Sequence, residues 1–229
     1  MLRSPLRIGL IGCGRQGRLL AAALRRVPAT RLFACSDPDP DALNAIPGAG
    51  VARFADYRAL LDACAIDAAI VATPRLFLAD AAQTVAQAGC HVFCEKPLAP
   101  SAERARSVVA TASGAGVNLM VGYVQRFDPL RQRMKCFLDE HAFGELAYVV
   151  AGKGGPLLSG WQQNRADGGG QLLWVGSHLI DQLHWLLGRR VERVYAEIRR
   201  SESSATDNWQ LKIACGSRGR CRSRSCAAG

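Results

Sequence analysis

"LRIGLIGCGRQGRLLAAALRRV", residues 6–27, sets an apolar run, a cluster of glycines and an alanine- and leucine-rich segment in direct succession. Residues 6–11 read as a buried strand and residues 15–27 as a helix. Gly12, Gly14 and Gly17 occupy the junction between them. Gly12 allows a tight turn, Gly14 lets backbone approach a pyrophosphate, and Gly17 lets helix and strand pack closely, while the helix N-terminus supplies N–H donors. Glycine spacing alone is a weak signal, and a glycine turn beside a solvated aspartate is the competing reading. Two features of context strengthen it: the strand–turn–helix setting, and Asp37 closing the second strand, 20 residues beyond Gly17. An acid there accepts hydrogen bonds from both ribose hydroxyls of NAD and repels the extra phosphate of NADP, so NAD is expected in preference to NADP. Arg15 and Gln16, inside the loop, are expected at the cofactor with the glycines.

Moving outward, the alternation continues. "RLFACS" (31–36), "DAAIVAT" (67–73), "CHVFCE" (90–95) and "VNLMVG" (117–122) read as strands. "YRALLDA", "RLFLADAAQTVAQAG" (75–89) and "SAERARSVVATASGAG" read as the helices between them, and "DPDP" as a turn. Strand and helix in this order require right-handed crossovers and a parallel sheet covered on both faces. Past Gly122 the pattern changes. "DPLRQRMKCFLDEHAFG" and "QLLWVGSHLIDQLHWLLG" look helical, and "ELAYVVAGKGG", "VERVYAEIRR" and "NWQLKIAC" look like strands. The expected fold is therefore α/β: a Rossmann doubly wound parallel sheet over residues 1–122, then an incomplete α+β domain with a mostly antiparallel sheet over 123–215, then a basic tail, 216–229.

Composition excludes several classes. Apolar residues make up 49% and charged residues 21%, an ordinary globular balance. No apolar run approaches the ~20 residues that cross a bilayer, and glycines and arginines interrupt the N-terminal run too soon for a secretory signal. A soluble, cytoplasmic protein without membrane partners is expected. The nine cysteines show no zinc spacing, so no metal site is expected, and their alanine- and valine-rich surroundings suit free thiols in a reducing compartment. The net charge of +10 owes much to "GSRGRCRSRSCAAG" at the end of the chain. That tail lacks aromatic residues for base stacking, so no nucleic-acid partner is expected.

"CHVFCEKPLAP" (90–100) places Glu95 and Lys96 at the end of a strand, with Pro97 next. In open parallel sheets ligands bind beyond the carboxyl ends of the strands. Proline restricts the residue before it to extended backbone, which aims the lysine. In such a crevice, burial and a cationic neighbour make an amine a better proton donor or acceptor near neutrality.

With "GCGRQG", "VATP" (71–74), "AGCHVFCEKP" (88–97), "GYVQRFDP" (122–129) and "GGGQLLWVGSHLIDQLHWLLG" (168–188) in this order, the chain resembles the glucose–fructose oxidoreductase/inositol dehydrogenase family (Gfo/Idh/MocA) over roughly residues 6–215. The resemblance implies hydride transfer between nicotinamide and a hydroxyl or carbonyl carbon of a sugar, polyol or related small molecule. The difficult step then belongs to the cofactor, and the protein orients it and handles the proton. It assigns Lys96 to the substrate oxygen and His178 to proton transfer, with Asp181 one helical turn away. Thr73, Pro74 and Glu95 would line the cofactor crevice. The family also forms homo-oligomers through its second domain.

Three departures from the family pattern stand out. Trp174 occupies the position, four residues before the helix histidine, where inositol dehydrogenase-like relatives carry an aspartate, and Leu78 stands where many have histidine. Either change points to a different substrate or to lost catalysis. The tail from residue 216 departs from the family altogether and reads as a truncated or frameshifted end. Two readings follow: an NAD-dependent dehydrogenase, or a nucleotide-binding relative without turnover. Trp161, Gln162 and Arg165, in the loop before the last helix, are candidates for substrate contact.

Overall fold

A computed structural model describes residues 4–142, 144, 146, 149–152, 169–170, 172–200 and 207–215. Contacts divide the chain into two compact units, Met1–Gly122 and Tyr123–Gly229.

In the first unit, six strands form one parallel sheet: β1 (Leu6–Ile11), β2 (Thr30–Ser36), β3 (Ala52–Phe54), β4 (Ala68–Val71), β5 (His91–Cys94) and β6 (Leu119–Val121). Their spatial order is β3-β2-β1-β4-β5-β6. Five helices connect them: α1 (Arg15–Leu24), α2 (Pro40–Asn44), α3 (Tyr57–Ala63), α4 (Arg75–Gln87) and α5 (Ala102–Gly114). The chain runs outward from β1 in one direction, then returns to build β4, β5 and β6 on the other side, so the strand order reverses between β1 and β4. This is the expected doubly wound Rossmann arrangement.

The apolar strand runs are explained by burial on both faces. On β1, Leu10 packs in a cluster with Cys13, Ala21, Cys35, Ile46 and Ile70. Its neighbour Ile11 packs in the other cluster, with Val71, Leu78, Val85, Val92 and Val108. Adjacent residues of β4 divide in the same way, Ile70 to one face and Val71 to the other. A strand with water on one face would alternate polar and apolar, whereas a strand covered twice has no need to. Leu78 belongs to the core, 2% exposed.

Side chains cap three of the five helices. Asp39, Asp56 and Ser101 accept the backbone N–H groups of Asp41, Arg58 and Arg104, at the starts of α2, α3 and α5. The other two, α1 at Gly14 and α4 at Pro74, have no side-chain cap.

In the second unit a 3₁₀ turn (Val124–Phe127) leads into α6 (Pro129–Asp139), whose N-cap Asp128 accepts from Leu130 and Arg131 N–H. A π-helical turn, Leu172–Gly176, precedes α7 (Ser177–Leu187), which stops at Gly188 with φ 59°. β7 (Val191–Arg200) pairs antiparallel with β8 (Asp207–Cys215).

The structure differs from the sequence expectations in several elements. α2 and β3 were not anticipated, and the helix expected from residue 171 begins as π-helix. Of the strand expected at 145–155, residues 146 and 149–152 are described, and they are not in a strand. Trp161, Gln162, Arg165 and the tail 216–229 lie outside the described residues.

Candidate functional site

The carboxyl ends of the parallel strands form a rim, knitted from strand to strand by backbone hydrogen bonds. Gly12 N–H donates to Ser36 O at 2.9 Å, Ala72 N–H to Ile11 O at 2.7 Å, Glu95 N–H to Val71 O at 2.9 Å, and Gly122 N–H to Cys94 O at 2.8 Å. Asp37, the glycine loop, Thr73, Glu95 and Gly122 therefore follow one another along one edge of the sheet, with the loop at the strand reversal. This is where an open α/β sheet binds its ligand.

The loop's shape is set by contacts that side chains would obstruct. Gly12 has φ 93°, and a Cβ there would lie 2.6 Å from Ala72 O. A Cβ on Gly17 would overlap the carbonyl oxygen of Gly12, so helix α1 sits directly on the turn. At Gly14 a Cβ would meet nothing of the protein within 4 Å. The protein's own packing thus requires glycine at 12 and 17 but not at 14. Asp37 braces the loop: its Oδ2 accepts Cys13 N–H at 2.7 Å, and its Oδ1 accepts Asp39 N–H at 3.0 Å.

Three observations test whether a dinucleotide suits these residues. Helix α1 begins at the loop without a side-chain cap, leaving N–H donors for an anion. The glycine at 14 has open space beside it. Thr73 Oγ1, at the rim, is buried without a hydrogen-bond partner among the described residues, and such an atom calls for a partner. The residues fit the group.

Glu95 is buried, 7% exposed. Its Oε1 accepts the Gln16 amide at 2.8 Å and its Oε2 accepts Lys96 N–H at 3.1 Å. A Cβ on Gly122 would lie 3.3 Å from its carboxyl group, so glycine at the end of the first unit makes room for this side chain. Burial, aided by the neighbouring charge of Glu95, pushes the Cys94 thiol up to about 12. Lys96 follows, half-buried, and its bond to Pro97 is cis.

The second unit carries His178 and Asp181 on α7. Asp181 is held by Arg126 through two hydrogen bonds, Nε to Oδ2 at 2.9 Å and Nη2 to Oδ1. The Asp181 side chain is 8% exposed and that of Arg126 42%. The carboxylate raises the Arg126 guanidinium further above its ordinary range. Tyr123 meets His178 edge-on, ring centroids 6.0 Å apart and planes at 84°, and the Arg126 guanidinium lies 5.9 Å from the Tyr123 ring. Burial first, then the charge of Asp181, pushes the Tyr123 phenol up, so it stays a neutral donor near neutrality. Trp174 lies in the π-helical turn before α7, and such turns recur at functional sites.

Residues 6–123 match the model of an oxidoreductase family with an NAD-binding Rossmann fold, and residues 131–221 match the GFO/IDH/MocA C-terminal domain. The chain belongs to the Gfo/Idh/MocA family. It is 33% identical over 191 residues to an inositol 2-dehydrogenase of Rhizobium meliloti, covering 83% of this chain and 58% of that protein. It is 29% identical over 183 residues to the rhizopine catabolism protein MocA of the same species, covering 80% and 57%. A crystal structure of the WlbA dehydrogenase from Bordetella pertussis, in complex with NADH and UDP-GlcNAcA, superposes with a TM-score of 0.79 at 26% identity, covering 93% of this chain and 64% of that one. The chain thus spans less than two-thirds of the length of these relatives.

Within this Gfo/Idh/MocA member, Gly12, Gly14, Arg15, Gln16, Gly17, Asp37, Thr73, Pro74, Glu95 and Lys96 all belong to the first unit, and His178 and Asp181 to the second. Sequence reasoning gave no role to Tyr123 or Arg126, although both lie in "GYVQRFDP". The signal was present: an arginine and a tyrosine just past the last parallel strand, with an acid and a histidine downstream to meet them. Among the described residues no group of three metal-ligating side chains occurs, and no helix is long and apolar enough to cross a membrane.

Proposed function

We propose that this chain is the cofactor-binding and reaction-bearing part of an NAD-dependent oxidoreductase acting on a CH–OH group of a sugar or polyol. The observation that supports this best is the placement of Glu95 and Lys96 at the carboxyl end of β5, beside β4 and two strands from the glycine loop, with Gln16 of that loop bonded to Glu95. Residues 1–122 hold the dinucleotide, and the second unit supplies His178 and Asp181. The α1 N-terminus and Gly14 take the pyrophosphate, with Arg15 alongside. Asp37 takes the ribose and so favours NAD over NADP, and Thr73 and Pro74 line the crevice. When bound, the nicotinamide accepts or supplies the hydride. Lys96 Nζ is assigned to the proton of the substrate oxygen, and His178, with Asp181 one helical turn away, to proton transfer. Free thiols at Cys13, Cys35, Cys64, Cys90, Cys94 and Cys136 suit a reducing cytoplasm.

The relatives named above include an inositol dehydrogenase and a structure holding a nucleotide sugar, which supports the substrate class. A second reading, dinucleotide binding without turnover, is favoured by the clamp of Arg126 on Asp181, which occupies the carboxylate's acceptor oxygens, and by Trp174 in place of an acid. Titrating the purified chain with NADH, then following NADH formation across a polyol and sugar panel for the wild type, Lys96→Met and His178→Asn, separates the two. Turnover in the wild type, reduced about a hundredfold or more in both variants, supports the enzyme. NADH binding with no turnover on any panel member supports the second reading, and absence of NADH binding overturns both.

A further inference from the structure

We propose that Gln16 is a positioning residue that ties the glycine loop to the Glu95–Lys96 corner, so that the state of the loop sets how Lys96 is presented. The inference rests on the dinucleotide-binding reading above and goes beyond it by assigning a job to a loop residue through its side chain.

The observations form a chain of contacts. Gln16 sits on the first turn of α1, the turn whose N–H donors face an incoming pyrophosphate. Its amide reaches across the rim, 79 residues along the sequence, and donates to Glu95 Oε1 at 2.8 Å. Glu95 cannot move aside easily. It is buried, it lies where even a Cβ on Gly122 would come within 3.3 Å of its carboxyl group, and its second oxygen accepts Lys96 N–H at 3.1 Å. A carboxylate held in two directions, by a side-chain amide and by a main-chain N–H, is fixed in rotamer as well as in place. Hydrogen bonds to a charged acceptor are the strong ones, and a buried carboxylate that loses a donor seeks another. Without the Gln16 amide the Lys96 N–H is left to hold the carboxylate, so any adjustment of Glu95 bears on the lysine backbone.

Nothing in the loop's own packing requires glutamine. Gln16 is exposed, and Gly12, Gly17 and Asp37 set the turn by themselves. A side chain unnecessary to the loop's shape, yet bonded to the buried acid beside the lysine, is placed for communication between the two.

The test reads Lys96 directly and needs no substrate. Reductive methylation of the full chain by formaldehyde and cyanoborohydride, followed by peptide mass spectrometry, gives the labelling rate of Lys96 with and without saturating NADH. The variants are Gln16→Met, which keeps length and loses the donor, and Gln16→Glu. A carboxylic acid donates a hydrogen bond and a carboxylate does not, so Gln16→Glu restores the contact only when protonated.

The expected result has three parts. Both variants melt within about 2 °C of the wild type, as suits an exposed side chain, and each is read at an NADH concentration that saturates it, so any change in affinity is kept apart from the change at Lys96. NADH protection of Lys96 falls about tenfold in Gln16→Met, the scale of one hydrogen bond to a charged group. Gln16→Glu follows Gln16→Met at about pH 8 and moves toward the wild type as pH falls toward about 4, the ordinary glutamate range. Wild-type protection in Gln16→Met, or a pH-independent Gln16→Glu, overturns the positioning role while leaving dinucleotide binding intact. A wild type that does not bind NADH removes the dinucleotide reading itself, and this inference with it.

Discussion

Asp37 Oδ2 lies 2.7 Å from the backbone nitrogen of Cys13 and accepts its N–H. The acid at the end of the second strand is therefore part of the glycine loop before any ribose reaches it. On the proposed reading its removal acts twice, on the loop and on the ribose contact. Asp37→Ala is expected to weaken NADH by roughly 10- to 100-fold, the worth of one or two charge-assisted hydrogen bonds. NADPH, whose phosphate the acid would repel on that reading, is expected to lose less. Fluorescence titration with both dinucleotides measures the ratio, and an unchanged NADH/NADPH preference would remove Asp37 as the selecting group.

The glycines of the loop separate by role. Gly12→Ala places a Cβ 2.6 Å from Ala72 O at φ 93°, a combination of strain and overlap that costs about 3–5 kcal/mol. Gly14→Ala meets nothing of the protein and is expected to leave stability within about 0.5 kcal/mol. Its loss should appear in NADH affinity, by about tenfold or more, because on the proposed reading the added methyl stands where backbone approaches the pyrophosphate. Thermal melts and NADH titrations of the two variants, side by side, check the contrast.

Arg126 is the partner of an acid that solvent scarcely reaches. Arg126→Met leaves the Asp181 carboxylate, 8% exposed, without its guanidinium. The expected cost is about 2 kcal/mol, below the range for fully buried pairs because Arg126 itself is partly exposed. Asp181→Asn, with Arg126 retained and able to turn toward water, should cost less. Denaturant melts decide, and equal effects would argue against a buried charge as the cause.

Arg7 and Asp67 join the starts of β1 and β4. Asp67 accepts from Arg7 N, Nε and Nη2 at 2.7, 3.3 and 3.0 Å. The Arg7 side chain, then its backbone N–H, holds the carboxyl below its ordinary value of 3.8. A depressed folded-state pKa stabilises the fold above the unfolded value and ceases to do so as pH falls through the folded one. Asp67→Asn is therefore expected to lower the melting midpoint by about 2 °C at pH 7, a modest effect because the pair is partly exposed. The difference should shrink as pH falls below 3.8 and on through the lower folded-state value, and melts at pH 7 and in acid test the sign.

What could be read from the sequence was local. The glycine loop lies within one turn of chain, and "YRALLDA" is helical over its full extent, Tyr57–Ala63, because an aspartate directly before it caps it. β3 was invisible because three residues carry little periodicity, and Ala52–Phe54 become a strand only by pairing with Ala34–Ser36 of β2. α2 was hidden inside a segment read as a turn: Asp39 and Pro40 suit a turn and a capped helix start equally well. The candidate site was legible as a set of residues but not as a set of contacts. Gln16 meets Glu95, and Arg126 meets Asp181, 55 residues apart, and no local pattern reports such pairings. The π-helical turn at Leu172–Gly176 was likewise unreadable, since it replaces what composition presents as ordinary helix.

The braces on the glycine loop, from Gly17 stacked on Gly12, from Ser36 and from Asp37, settle when conformational entropy is given up. A loop already frozen by its own scaffold has surrendered that freedom during folding, so a dinucleotide arriving later meets a finished mould. Capture should then be quick and limited by collision and alignment, on the order of 10⁶ M⁻¹s⁻¹ or faster, and discrimination among cofactors should be expressed in how long each one stays.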